Sequence, residues 1–210
     1  MSNYASAEKI YNVEEFEKFV DEETRKPGNG NNRYELIDGV IYMMADPTIT
    51  HYNVCKFIER AFDSYFWGKG CTVFNGSVSL HLFKGHYTSF TPPKTKRRNY
   101  LTPDLMVICD KRAAEKDEGV FVPPDIVVEV VSKSNAGTDY IRKLNTYFTF
   151  GIKEYWIVDP IRKKIRIYDM FSDPADYKEY NYAFDNIVKS ELFSDLCIDF
   201  KQFTGFVSQG

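Results

Sequence analysis

The sequence predicts an α/β fold, bordering on α+β, with a mixed central β-sheet flanked by helices and extra strands toward both ends. Three observations carry this. Strand patterns outnumber helical ones along the 210 residues. A strand–helix–strand unit fills the centre, residues 125–159, and such a crossover joins parallel strands. Hairpin patterns on either side of it add antiparallel strands, which makes the sheet mixed. The length suits a single domain, 1–210, with ample material for a core.

In order along the chain, residues 12–26 form a helix, with Asn12 as N-cap and Val13, Phe16, Phe19 and Val20 at helical spacing. Residues 26–32 are a polar loop. Residues 33–44 read as a hairpin turning at Asp38 and Gly39. The longest helical pattern covers 48–67, with Tyr52, Cys55, Ile58, Phe62 and Phe66 on one side and Gly68 and Gly70 ending it. Strands are expected at about 71–82, at 104–109 and at 125–131. A loop with Pro92 and Pro93 precedes the second of these and a charged connector, 110–119, follows it. Thr138 caps a helix running to Phe150, and Gly151 stops it. Glu154 to Asp159 is a strand, Pro160 starts a turn, and Lys164 to Met170 returns beside it. Residues 171–186 show no periodicity. One or two short strands and a small helix near 200–207 close the chain.

Hydrophobic residues make up 43% and aromatic residues 16%, which excludes a disordered chain. A net charge of −3 excludes binding to nucleic acid by bulk charge, but not through a local basic surface. The four cysteines, Cys55, Cys71, Cys109 and Cys197, lack Cys-x-x-Cys spacing, so a zinc ribbon is not expected. Three of them lie in apolar patterns and read as buried reduced thiols. No segment has the apolar core of a signal peptide or the length of a membrane span, and the reading is a cytoplasmic protein.

Charge stands where packing gives no reason for it. Asp104 opens the apolar run to Cys109. Glu129 lies inside the run Asp125 to Val131, which is apolar on both faces apart from it. A carboxylate in a buried strand costs several kcal/mol unless compensated, and two of them suggest a shared compensator, most simply a divalent cation. The bland readings are a salt bridge for Glu129 and turn chemistry for Asp104, as for Asp125. Lys143 flanks the stripe of Tyr140, Leu144, Tyr147 and Phe148 on its helix, where its stem can follow the core while its amine reaches the sheet; its alternative is a surface pair with Asp139. Together they suit Mg²⁺, or Mn²⁺, held by Asp104 and Glu129, with Lys143 orienting water or neutralising charge on a phosphate. Glu35 is either a further acidic member or the polar face of a hairpin. His51 reads as packing or capping.

Between Ser64 and Pro103 there is no acidic residue but six basic ones, including Lys94, Lys96, Arg97 and Arg98. With Tyr87, Phe90 and Tyr100 interleaved, this stretch is either a phosphate-tracking surface or a solvated loop. Arg162, Lys163, Lys164 and Arg166 read as a solvated hairpin face.

Glu129 in Val-Glu-Val, after Pro103-Asp104, is similar to the PD-(D/E)xK nucleases. The order of Tyr34-Glu-Leu-Ile-Asp-Gly39, Pro103-Asp104, Val128 to Ser132, Asp139-x-x-x-Lys143-Leu144-x-x-Tyr147, and Gly151-x-x-Glu154 through Asp159-Pro160 more closely resembles the Uma-two family of restriction-endonuclease-like proteins. The resemblance covers about 33–170 and implies a nuclease-type core there, with Glu35, Asp104 and Glu129 as the acidic residues and Lys143 as the lysine. Two departures stand out. Val131 occupies the position where the motif has its lysine, and Ser132-Lys133-Ser134 replaces Ser-Pro-Ser, which makes Lys133 a competitor of Lys143.

The expected function is a Mg-dependent endonuclease hydrolysing DNA phosphodiester bonds. The alternatives are a catalytically degenerate nucleic-acid-binding or structural protein of the same fold, and an enzyme acting on a small phosphate ester. DNA is the expected partner, with no membrane, and the oligomeric state is open, a homodimer included.

Overall fold

A computed structural model of the chain describes residues 9–83, 92–114, 117–132, 138–173 and 175–205. Helix α1, Val13–Thr24, starts at a capping box: Asn12 Oδ1 accepts the Glu15 amide at 3.0 Å, and the Glu15 carboxylate accepts the Asn12 amide at 3.0 Å. Strands β1, Tyr34–Ile37, and β2, Val40–Met43, form a hairpin whose turn residues Asp38 and Gly39 both have positive φ, 49° and 84°. That is a primed turn, which matches strand twist. Helix α2, Ile49–Phe66, is capped by the Thr48 hydroxyl, which accepts the His51 amide at 3.1 Å.

The central sheet of the described residues has six strands in the order β3 (Thr72–Asn75), β4 (Leu105–Ile108), β5 (Ile126–Val130), β6 (Glu154–Asp159), β7 (Lys164–Asp169) and β8 (Lys178–Ala183). Only β5 and β6 are parallel, and helix α3, Thr138–Thr149, connects them. The other pairs are antiparallel, so the sheet is mixed and the class is α+β. Alternation along the strands gives two cores. Val54, Ile58 and Phe62 of α2 pack on Leu105, Val107, Val128 and Trp156 on one face. Leu144 and Tyr147 of α3 pack on Met106, Val127, Tyr155 and Ile157 on the other. The α1 helix and the hairpin share a small third cluster, joined to the body by Leu36 pairing with Tyr100. A short ribbon, β9 (Ile187–Lys189) with β10 (Cys197–Asp199), ends in a 3₁₀ turn at Phe200–Gln202.

Several expectations need correcting. Residues 171–186 contain β8, whose sequence lacks alternation because an edge strand has little to bury: its residues are exposed or half-buried. The strand expected at 71–82 is only Thr72–Asn75; beyond it Leu80 makes isolated bridges to Leu101 and Val120. The buried stripe of α2 is His51, Val54, Ile58, Phe62 and Phe66, while Tyr52 is 61% exposed. Cys71 and Cys109 are not reduced thiols but a disulfide, with 4.0 Å between their Cα atoms. The register of β3 and β4, Thr72 opposite Ile108, carried one residue further sets the two cysteines face to face. Among the described residues no helix is long and apolar enough to cross a membrane.

Candidate active site

Each functional side chain comes from a different element. The β4–β5 register places Leu105 opposite Val128, and one more residue sets Asp104 opposite Glu129. This is the stagger that the two carboxylates need. Both sit on the α3 face of the sheet, the face of Met106 and Val127. Glu35 arrives from β1 and Lys143 from α3.

Lys143 is the hub. Its Nζ lies 2.8 Å from Glu129 Oε1 and 2.9 Å from Glu35 Oε2, with all three residues buried. The Tyr147 hydroxyl also donates to Glu129 Oε1, at 2.8 Å. Glu35 Oε1 accepts the Thr102 amide at 2.8 Å, so both Glu35 oxygens are engaged. Asp104 Oδ2 accepts the Val130 amide at 2.7 Å and meets His51 Nε2 at 3.1 Å. On the other side of that ring, Cys55 Sγ lies 3.7 Å from His51 Nδ1. The ring therefore donates through Nε2 and accepts through Nδ1 in the tautomer that satisfies both neighbours.

Two carboxylate oxygens are left over. Asp104 Oδ1 and Glu129 Oε2 have no hydrogen-bond donor among the described residues, although each residue's other oxygen has two. Both residues line a cavity of about 50 Å³, with Glu35, His51, Lys143, Tyr140 and the main chain of Val130 also in its wall. That space suits an ion with a water or two rather than an organic ligand.

The charge balance inside is negative, three carboxylates against one ammonium, with the exposed Arg33 at the rim. Burial and the nearby Asp104 and Glu35 carboxylates push the Glu129 carboxyl up to about 7, against the downward pull of Lys143. Burial alone would lower Lys143, but the Glu129 and Glu35 carboxylates outweigh it and its pKa rises. The ammonium therefore stays charged, and the shortage in the cluster is of positive charge. For His51, burial pulls down and Asp104 pulls up, and the net shift is upward. Burial raises the Cys55 thiol and adjacent carboxylates raise it further, which keeps it protonated.

Of the residues predicted from sequence, Glu35, Asp104, Glu129 and Lys143 meet here. Lys133 lies outside the described residues. Asp125, which shares the Pro-Asp look of Asp104, holds the Cys109 amide at 2.7 Å and pairs with Lys153, so it is structural. His51 was read as packing or capping and is instead the partner of Asp104. The signal was a polar residue heading the buried stripe of α2. The basic stretch divides. Lys94 pairs with Glu17 at 2.7 Å, and Lys96 and Arg98 are exposed. Arg97 is buried with Nη1 3.0 Å from His81 Nδ1, and its cation faces the Phe121 ring. It is a packing residue rather than part of a solvated loop.

A mixed sheet between helices, with acidic residues meeting from neighbouring strands beside a lysine, defines the restriction-endonuclease-like class. The comparisons carry this further. The family model described as "Uma2: Putative restriction endonuclease" matches residues 13–201, and the chain belongs to that family. The fold is shared with the crystal structure of a "putative nuclease belonging to DUF820" from Anabaena variabilis, at a TM-score of 0.66 and 16% identity, covering 88% of this chain and 96% of that one. The comparison with curated proteins finds no match.

Proposed function

We propose that the protein is a metal-dependent endonuclease that hydrolyses phosphodiester bonds in DNA. The observation that carries this reading is the pair of unfilled carboxylate oxygens, Asp104 Oδ1 and Glu129 Oε2, on a small cavity short of positive charge and next to Lys143. The donor set is hard oxygen, which suits Mg²⁺ or Mn²⁺. Asp104 and Glu129 would hold the ion, and it would polarise a phosphoryl oxygen and acidify a water.

The chain's own residues divide the remaining work. Glu35 and Glu129 position the Lys143 ammonium, where it neutralises charge gathering on the phosphate oxygens during attack. Tyr147 fixes the inner oxygen of Glu129, and His51 with the Val130 amide fixes the inner oxygen of Asp104. Both carboxylates thus keep one orientation before any ligand arrives. The walls contributed by Tyr140 and Ile37 limit water.

Incubation of circular plasmid with the protein, with and without Mn²⁺, tests the reading. Nicked and linear products should appear with wild type and Mn²⁺, and disappear in Glu129→Ala. Intact plasmid with folded, Mn²⁺-loaded wild type would overturn it.

A further inference from the structure

The face of the sheet that carries Glu129 continues past α3. Glu129 pairs with Ile157 on β6, and Ile157 with Arg166 on β7, so one row of side chains leads from the acidic cluster to a cation. At the outer flank of α3 this row opens into a second cavity, of about 390 Å³. Its floor is apolar, made by Val131, Leu144 and Ile157. Tyr140 lines both this cavity and that of the acidic cluster, so the two adjoin through one side chain.

The rim carries surplus positive charge. Arg162 is matched by Asp159 at 3.0 Å. Arg166 is held only loosely, its Nε 3.9 Å from Glu179. Lys164 is exposed and has no ion pair among the described residues. An apolar floor beneath two available cations is the chemistry of a nucleotide, a flat ring system joined to an anion. The volume exceeds what a bare phosphate fills and reaches the range of small-molecule pockets.

We propose that this second cavity is a nucleotide subsite. It takes one nucleotide of the substrate strand beside the scissile phosphate, with the phosphate on Lys164 and Arg166 and the base over Val131, Leu144 and Ile157. This rests on the nuclease reading above and sharpens its substrate class. A base seated in a pocket has left its partner, so the preferred substrate is single-stranded or flapped DNA rather than continuous duplex.

Fluorescence anisotropy in EDTA, where no cleavage occurs, tests it with labelled octathymidylate and with a blunt hairpin duplex. Wild type should bind the single strand more tightly. Lys164→Ala/Arg166→Ala should weaken single-strand binding about tenfold and flatten the log–log salt slope by about 1.4, two phosphate contacts on a single strand. Its melting temperature and its stabilisation by Mn²⁺ should match wild type, because both positions are exposed. Unchanged affinity in the double variant overturns the subsite, as does an equal loss on the hairpin duplex or wild type that binds neither DNA. If wild type cleaves plasmid while the variant binds the single strand normally, the subsite alone fails. If the variant loses binding as expected while wild type cleaves nothing, the catalytic reading fails and the subsite stands.

Discussion

Glu129 and Glu154 sit on neighbouring parallel strands, both buried and both with a carboxyl pushed upward chiefly by burial. Their surroundings differ. Glu154 is saturated by neutral donors: Trp156 Nε1 on one oxygen, and the Ser190 hydroxyl at 3.1 Å with the Glu191 and Leu192 amides, each at 2.8 Å, on the other. It clamps the turn after β9 against the sheet. Glu129 has both its donors on one oxygen and leaves the other facing a cavity that it shares with two further carboxylates. Burial and a raised pKa are common to a structural carboxylate and a functional one. An acceptor left open toward a cavity is what separates them.

The largest expected contrast is in activity. Glu129→Ala should lower the rate of plasmid cleavage by about a thousandfold, whereas Glu154→Gln should cleave at the wild-type rate at a temperature where it is folded. Equal losses would erase the distinction.

Next comes the response to metal. Mn²⁺ at about 100 times its dissociation constant should stabilise wild type by about 2.7 kcal/mol, by mass action on the native state. Thermal melting should show this shift in Glu154→Gln and not in Glu129→Gln. A shift that survives in Glu129→Gln would move the metal elsewhere.

Stability without metal should then invert the order. Glu154→Gln turns an amide toward donors that already point inward and should cost about 2 kcal/mol by urea denaturation. Glu129→Gln should be neutral or stabilising, since it removes one of three crowded negative charges.

The smallest effect is on pH dependence. An unfolded glutamate titrates near about 4.3, and Glu129 in the folded protein near about 7. Between those values the native state binds more protons, so the unfolding free energy falls as pH rises. Urea melts across this window should show that fall in metal-free wild type, and Glu129→Gln should flatten it. A profile that stays as steep in the variant would assign the slope to other groups.

The sequence made the framework legible wherever burial was two-sided or periodicity long. The runs at 104–109 and 125–131 are apolar enough to be interior strands, and the caps at Asn12 and Thr48 mark helix starts by hydrogen-bond chemistry alone. Asp104, Glu129 and Lys143 were visible for the same reason, as charges against an apolar background. Pairing across distance was not visible. The facing of Cys71 and Cys109 depends on a register that no single strand encodes. His51 was hidden because its partner lies 53 residues away and because Tyr52 seemed a better start to the stripe. Arg97 was hidden among solvated neighbours, since a basic run does not say which member turns inward.

Glu35 stands on a hairpin, Asp104 and Glu129 on two strands of the sheet, and Lys143 on a helix rather than on the strand position now held by Val131. No fragment short of the docked hairpin, sheet and α3 brings these four groups together. On the nuclease reading, a nascent or half-folded chain is therefore harmless to the DNA around it. The ability to cut emerges at one moment, when the helix settles onto the sheet and its ammonium reaches the two glutamates. Cleavage would then report completed folding, and any variant that loosens α3 would fail safe.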